Sequence, residues 1–208
     1  MGHGITETDK ARYHRKPAWH KLGTVTQEAE TPTEAMEQVA PWEVLTTANL
    51  GGTVGDDNVP VHTDEVKLTV RSDTHAPLGI VGKNYQPLQN SEHAQLMEEI
   101  AGPDRALTTE SCFTLHGGRR VVLVVKSRAL ELSAGEVIQP YLMAANSHDG
   151  TLALTLKDVP FRPECANMLS MALSYEDGKA FRIEHKSGMA NNIEAMRESL
   201  GVYQQSVE

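Results

Sequence analysis

The chain has 208 residues, of which 39% are hydrophobic and 23% are charged, and its formal net charge is −9. This composition is typical of a globular domain that buries its own core without disulfides or metals. The apolar run at residues 121–125 is far shorter than the ~20 residues that span a membrane, and the N-terminus lacks the apolar segment of a secretory signal. We therefore expect a cytoplasmic protein without a membrane partner, in which Cys112 and Cys165 are reduced thiols.

Acidic residues are concentrated on the N-terminal side of the chain. Residues 1–110 hold 9 lysines and arginines against 17 acidic residues, whereas residues 111–190 hold 9 against 8. The overall acidity argues against indiscriminate nucleic-acid binding, because phosphate contacts dominate that affinity. The C-terminal half, with its balanced charge, is free to carry a basic site.

Residues 1–30 contain a basic stretch and show no hydrophobic periodicity. We expect an N-terminal arm without regular structure there, followed by a single domain over residues 31–208. Trp19 is expected to dock this arm on the body or on a neighbouring subunit. The sequence Thr31-Pro32-Thr33-Glu34 predicts a helix start, with an N-cap threonine, a proline at the first helical position and a glutamate that closes a capping box. A strand is expected at 43–50 and a loop at 51–58.

The remainder of the chain alternates strand and helix signals. Asn90-Ser91 predicts a helix cap, which is followed by apolar positions at Ala94, Met97 and Ile100. The apolar run at residues 121–125 is typical of a central strand that is covered on both faces. Runs of antiparallel strands with single helices between them predict an α+β fold, a curved antiparallel β-sheet of consecutive hairpins backed by two or three helices. Further strands are expected at 65–71, 78–85, 106–115, 136–146, 151–158 and 180–186, and further helices near Cys165 and Asn191.

Glycine-marked turns join several of these strands. His116-Gly117-Gly118-Arg119 and His148-Asp149-Gly150-Thr151 predict tight two-residue turns, since glycine adopts positive φ at little cost. The flanking strands alternate apolar and polar residues, so that one face of each strand carries its charges. The polar faces of three strands hold five cations against two anions, namely Lys67, Arg71, Lys157, Arg182 and Lys186 against Glu65 and Glu184.

The segment from Asn146 to Gly150 allows two interpretations. One is a turn in which Asn146 and Asp149 bond to backbone amides. The alternative is a metal or acid–base site in which His148 and Asp149 converge. Because the chain has no Cys-x-x-Cys or His-x-x-x-His spacing, the sequence identifies no zinc site, and we expect no cofactor. Further metal ligands would have to come from His116, Cys165 or His185.

Five motifs occur in order along the chain. They are Pro17-Ala18-Trp19-His20-Lys21-Leu22-Gly23-Thr24, the run from Pro77 to Asn90, Gly117-Gly118-Arg119-Arg120-Val121, the run from Tyr141 to Gly150, and the spaced set Arg162, Cys165, Asn167 and Leu169. Together they resemble the phage/plasmid-like protein family, which is defined as a domain of unknown function, over about residues 17–203. The resemblance implies carriage on a phage or plasmid and a recombination-linked role, similar to that of the Erf/RecT/Redβ class of single-strand annealing proteins.

The basic strand faces and this resemblance together favour a non-enzymatic protein that binds and anneals single-stranded DNA as a homo-oligomer. Two alternatives stay open. One is a metal-dependent hydrolase or nuclease centred on His148 and Asp149, and the other is a protein-interaction module that acts on a host defence complex through an acidic surface. The residues expected to contact nucleic-acid phosphates are Lys83, Arg119, Arg120, Lys126, Arg128, Lys157, Arg162, Arg182 and Lys186.

Overall fold

The computed structural model describes residues 2–101, 108–126, 130–131, 137–138, 140–176, 180–189 and 191–195. Over these residues the protein has the predicted α+β fold, with mainly antiparallel strand pairs. The helices are α1 (Pro32–Val39), α2 (Asn90–Ala101) and α3 (Ala166–Ser174), and residues 191–195 are also helical. The strands are β1 (Ala11–His14), β2 (Thr24–Thr26), β3 (Val44–Thr46), β4 (Leu50–Val54), β5 (Val59–Thr63), β6 (Val66–Arg71), β7 (Pro77–Gly82), β8 (Thr109–Leu115), β9 (Arg120–Lys126), β10 (Leu130–Glu131), β11 (Val137–Ile138), β12 (Tyr141–Ser147), β13 (Leu154–Val159) and β14 (Ala180–Ile183).

The strands of the described ranges form one large sheet and three small ones. The principal sheet has seven strands in the order β14-β13-β12-β9-β8-β1-β2. Its neighbouring strands are antiparallel, except that β1 and β2 are parallel. A smaller sheet has the order β3-β6-β7, while β4 pairs with β5 and β10 pairs with β11.

Strand β9 is the centre of the principal sheet and is buried on both faces, as predicted. Residues 121–125 are fully buried. The odd-numbered residues of this run pack with Met36 of α1 and Met97 of α2 in what we name the α1/α2 core. The even-numbered residues pack with Leu169 and Ala172 of α3 in what we name the α3 core. The principal sheet is therefore covered by helices on both sides.

Helices α1 and α2 begin where the sequence predicts. The Thr31 hydroxyl accepts a hydrogen bond from the Glu34 amide over 3.2 Å, and the Glu34 carboxylate accepts from the Thr31 amide over 2.8 Å. This is the predicted capping box, with Pro32 at the first helical position. Helix α2 begins at Asn90, and its apolar positions are buried. Both predictions are confirmed.

The N-terminal segment belongs to the principal sheet, so the prediction of an arm without regular structure is wrong. Strand β1 pairs antiparallel with β8, and Ala11 and Tyr13 are buried. The Tyr13 hydroxyl donates to the carbonyl of Glu164 over 2.9 Å. Because β1 is only four residues long, its pairing with a distant strand, and not a local pattern, determines its conformation. Trp19 is 61% exposed, so its ring does not anchor the segment on the body of this chain, and docking on a neighbouring subunit stays a prediction.

The glycine turns are longer than predicted, and one predicted loop is a hairpin. Leu115 pairs with Arg120, so four residues separate β8 from β9. The β12–β13 connection is longer still, since its last pair is Ala145 with Thr155. The loop expected at 51–58 contains most of β4 and the turn that joins β4 to β5, and the residues of both strands are mostly exposed. An exposed hairpin lacks the alternation of buried and polar residues by which strands are recognised.

No helix among the described residues is long and apolar enough to cross a membrane. The two cysteines, Cys112 and Cys165, are free and buried. Burial raises the pKa of the Cys112 thiol. A thiol that is held protonated beneath the surface is a poor nucleophile, so the packing favours a structural role for Cys112.

Candidate functional site

His148 follows β12, where the principal sheet meets α2 and the smaller sheet. Its ring is fully buried, and its Nε2 lies 3.0 Å from Oδ1 of Asn90. The amide nitrogen of Asn90 donates to the carbonyl of Trp42 over 2.9 Å, which fixes the orientation of the Asn90 side chain. Nε2 of His148 is therefore the donor, and the neutral ring carries its proton there. The Trp42 ring packs edge-on against His148 at 5.5 Å between centroids.

Asp149 does not converge with His148. It is half-buried, and its Oδ1 accepts from the amide and the hydroxyl of Thr151 over 3.0 and 2.6 Å. The interpretation as a turn residue bonded to a backbone amide is therefore confirmed for Asp149. It is wrong for Asn146, whose buried side chain makes no hydrogen bond with any described residue. Adjacent residues that leave a strand point to opposite sides, which explains why His148 and Asp149 enter different surroundings.

Two further buried histidines, His93 on α2 and His185 after β14, influence His148. Burial, followed by the charges that His185 and His93 would carry, lowers the pKa of His148 to about 3, although Asp149 opposes this shift. Burial and the charge of His185 lower the pKa of His93 to about 4, against the effect of the Ala144 carbonyl. Both ring nitrogens of His93 and both ring nitrogens of His185 lack a hydrogen bond with any described residue, and so does Nδ1 of His148.

Among the described residues, the other suggested ligands do not complete a metal site with His148. His116 is exposed in the β8–β9 turn, and Cys165 is buried at the N-cap of α3. Among the described residues, no group of three or more His, Cys, Asp or Glu is placed to hold a metal ion. The alternative interpretation, in which His148 and Asp149 converge on a metal site, therefore has no support from the described residues.

The nine basic residues predicted to contact phosphates have different surroundings. Arg128 lies outside the described residues. Lys83 and Lys186 are exposed, but they are paired with Glu65 and Glu184. Four others form no ion pair with a described residue, namely the exposed Arg119, Lys126 and Arg182 and the half-buried Arg120.

Lys157 is not available to a phosphate. It is 4% exposed, and its Nζ donates to the carbonyl of Leu173 over 3.0 Å. Leu173 lies in the last turn of α3, where carbonyl groups without helical partners attract cations. The predicted polar face of β13 is thus covered by α3, and Lys157 contributes to the packing of that helix.

Two further arginines, Arg71 and Arg162, are also used internally. The Arg162 side chain is 11% exposed and donates to the Glu164 carboxylate and to two backbone carbonyls of the N-terminal segment. Arg71 donates to both carboxylate oxygens of Asp73, at 2.9 and 2.7 Å, and stacks 4.5 Å from the centroid of the Trp42 ring. Arg71 was expected on the polar face of its strand and Arg162 among the phosphate contacts, but both side chains hold neighbouring segments together.

The accessible cations of the principal sheet share one face but surround α3. Arg120 and Lys126 lie on the α3 side of β9, since even-numbered residues of that strand face the α3 core. Arg182 pairs with Thr155, and Thr155 pairs with Ala145 of the α3 core. Because paired residues point to the same side of a sheet, Arg182 also lies on the α3 side. Six residues of β-strand place Arg120 about 20 Å from Lys126, and three strand spacings place Arg182 about 14 Å to one side. The strand register therefore places these three cations on one face of the principal sheet, and α3 packs on the same face between them.

The β8–β9 turn joins the exposed Arg119 to a pair of backbone amides. His116, Gly117 and Gly118 have φ values of 57, 76 and 92°. Successive backbone amides of a turn can point to one side and so form an anion-binding nest. The amides of Gly117 and Gly118 donate to the two carboxylate oxygens of Asp9, over 3.0 and 2.9 Å.

An open groove of about 1120 Å³ lies beside this turn. It is lined by much of the N-terminal segment and by His116. Its lining includes the basic Lys10 and Arg12 and the acidic Glu7 and Asp9. The groove therefore brings solvent to the Asp9 carboxylate and has a mixed charge.

Sequence reasoning missed His93 and Asp9. A signal for His93 exists, because His93, Leu96, Met97 and Ile100 follow the i, i+3, i+4, i+7 spacing of a buried helical face and all four are buried. No local signal connects Asp9 with the β8–β9 turn, since its partners are distant in sequence. Only the pairing of β1 with β8 brings them together.

Comparison with known proteins places the chain in a family. No curated protein matches it, and no solved structure matches it. A family model described as a domain of unknown function matches residues 77–208, which is more than half of the chain. The match includes the β8–β9 turn, His148 and α3, whereas the N-terminal strands precede it. The chain therefore belongs to the DUF932 family, a domain of unknown function.

Proposed function

We propose that the protein binds single-stranded nucleic acid without enzymatic turnover, and that the β8–β9 end of the principal sheet contacts the phosphate backbone. The observation that carries the proposal is the adjacent pair Arg119 and Arg120. Neither forms an ion pair with a described residue, and Arg119 is exposed. Such arginines bind phosphate without first breaking an internal ion pair, and their guanidinium groups match phosphate geometry.

The two arginines are positioned differently, which suits sequence-independent binding. Arg120 is positioned by strand pairing with Leu115 and Ser147, and its Nη2 lies 3.4 Å from the hydroxyl of Thr151. Arg119 lies in the turn, where its exposed side chain can follow the path of a bound nucleic-acid strand. Contacts of this kind fix a nucleic acid by its backbone and do not read its bases.

One copy of the chain contacts few phosphates under this proposal. Two neutralised phosphates give a slope of about −1.4 in log affinity against log salt for single strands, and a third contact from Arg182 gives about −2.1. Useful affinity therefore requires several copies along one strand, and the proposal includes a homo-oligomer. Annealing of complementary strands in a phage- or plasmid-linked recombination role is the part that rests on the family resemblance.

The test is fluorescence anisotropy of a labelled single strand, measured over a series of salt concentrations beside a duplex of equal length. The double variant Arg119→Ala/Arg120→Ala should lose most of the binding and of the salt slope. The matched control is Lys83→Ala/Lys186→Ala, which removes the same charge from two ion-paired lysines and should bind as the unmodified protein does. Absence of binding at low salt, or equal losses in both double variants, refutes the proposal.

A second candidate function, a protein-interaction module, is favoured by the β4–β5 hairpin. Val54 and Val59 pair across this hairpin and are 59% and 54% exposed, and Val61 is 45% exposed. Asp56 and Asp57 lie between the two strands. Exposed valines beside acidic residues can bind an apolar, basic surface of another protein. If this function holds, Val59→Ser/Val61→Ser abolishes capture of a host partner while nucleic-acid binding stays unchanged.

A further inference from the structure

The carboxylate of Asp9 receives four hydrogen bonds from two sources. The amide and the hydroxyl of Thr6 donate to it over 2.8 and 2.7 Å, and these donors belong to its own short turn. The amides of Gly117 and Gly118 donate over 3.0 and 2.9 Å, and they belong to the β8–β9 hairpin. If the Asp9 turn moves away, the two glycine amides remain on the sheet as an oxyanion site. The chain's own carboxylate shows that this site accepts an anion.

The surroundings of the site suit a ligand of higher charge than a carboxylate. Lys10, His116 and Arg119 are exposed at its margin, and Glu7 is the exposed acid nearest in sequence. The groove lined by Lys10 and His116 gives a ligand access from solvent. A phosphate group offers the same acceptor oxygens as Asp9 and gains more from the charges of Lys10 and Arg119.

We propose that the Gly117 and Gly118 amides form a phosphate-binding site, and that Asp9 occupies this site until a phosphate of the bound strand displaces it. The inference rests on the proposed nucleic-acid function, which it deepens by adding backbone amides to the contacts of Arg119. Asp9 thereby acts as an internal competitor. Removing its carboxylate should strengthen phosphate binding by more than the loss of one negative charge explains.

The test compares Asp9→Ala with Glu7→Ala, a matched variant that removes an equal charge two residues away and leaves the glycine amides occupied. The first probe is inorganic phosphate. The melting temperature is measured in phosphate and in chloride at equal ionic strength, since a ligand of the folded state alone raises it. Phosphate should stabilise Asp9→Ala and should have no such effect on Glu7→Ala or on the unmodified chain. The second probe is the labelled single strand, which should bind Asp9→Ala about tenfold more tightly than Glu7→Ala, the gain of one charge-assisted hydrogen bond.

Circular dichroism establishes that each variant is folded. If Asp9→Ala is not, Asp9→Asn replaces it, because its amide oxygen retains one acceptor for the glycine amides and should give a smaller phosphate effect of the same sign. Equal behaviour of the Asp9 and Glu7 variants with both probes overturns the inference. The proposed function then still stands if Arg119→Ala/Arg120→Ala loses strand binding. Conversely, phosphate stabilisation of Asp9→Ala without strand binding by any variant keeps the site and refutes the nucleic-acid function.

Discussion

Acidification should destabilise the protein through its buried histidines, His93, His148 and His185. Their exposures are 0%, 0% and 6%, and burial is the largest cause of the lowered pKa of each ring. The mutual charges of the three rings lower the pKa values of His93 and His148 further. Asp149 raises that of His148, and backbone groups raise those of His93 and His185. A protonated ring in this cluster is therefore unfavourable in the folded state.

The sign and size of the effect follow from linkage. In the unfolded chain a histidine has a pKa of about 6.5, whereas the folded values are about 4 for His93 and about 3 for His148. Below pH 6.5 the unfolded chain binds protons that the folded protein does not, so the free energy of unfolding falls with falling pH. Between pH 7 and pH 5 each of these two rings accounts for a loss of about 2 kcal/mol, and the pair for about 4 kcal/mol. His185 adds to the loss in the same direction.

Urea denaturation at pH 7 and pH 5 measures this loss, and His148→Gln isolates one ring. Glutamine has an amide that can donate to Asn90 but does not titrate. The variant should be less stable than the unmodified protein at pH 7, yet should lose about 2 kcal/mol less on acidification. The matched control is His62→Gln, which makes the same exchange at an exposed position of β5 and removes no buried ring. An identical pH dependence for His148→Gln and the unmodified protein refutes the reasoning, because every other titrating group is common to both.

Three further predictions concern single positions, and urea denaturation checks each. A Cβ at Gly118 would lie 2.7 Å from the ring of Trp42 at a φ of +92°, so Gly118→Ala should cost about 2–3 kcal/mol of stability. A Cβ at Gly52 would have no heavy atom within 4 Å, so the control Gly52→Ala should cost less than about 1 kcal/mol. Equal losses in the two variants would contradict the steric argument. Lys157→Met should change stability by less than about 1.5 kcal/mol and should leave the binding of single-stranded nucleic acid unchanged. Weaker nucleic-acid binding by this variant would show that Lys157 does contact phosphate. Thr31→Ala removes the N-cap of α1 and should cost about 1 kcal/mol without a change in the urea m-value; a change in m would point to an altered denatured state instead.

The parts of the fold that depend on local signals were predictable from the sequence. Helix α1 is specified by Thr31 to Glu34, whose side chains and backbone satisfy one another within a single turn. Strand β9 is recognisable because an apolar run of its length, without polar alternation, requires cover on both faces. Strand β1 has no such signal, since its four residues depend on pairing with β8 and β2.

The candidate site was predictable only in part. The alternation of apolar and polar residues along a strand shows which residues share a face of the sheet, but it does not show what covers that face. Lys157 does lie on the α3 side of the sheet with Arg182, as alternation requires, but α3 follows later in the chain and packs over it. Arg71 was expected on an accessible face, and its stacking on Trp42 depends on a contact between the smaller sheet and the segment after α1. Arg119 is exposed, as predicted, because it lies in a turn and not on a face of the sheet that a helix could cover.

Two of the segments that carry the family resemblance meet at one structural junction, and this bears on where function should be sought. A Cβ added at Gly79 would lie 2.6 Å from Cα of Asp149, and the Tyr85 hydroxyl donates to the carbonyl of Ser147 over 2.9 Å. These contacts join the run from Pro77 to Asn90 with the run from Tyr141 to Gly150, and the protein needs them for packing whatever it binds. Substitutions at this junction should therefore alter stability and binding together. The exposed Arg119 side chain makes no hydrogen bond or ion pair with a described residue. A loss of binding in an Arg119 variant without a loss of stability would therefore separate a binding surface from the framework that supports it.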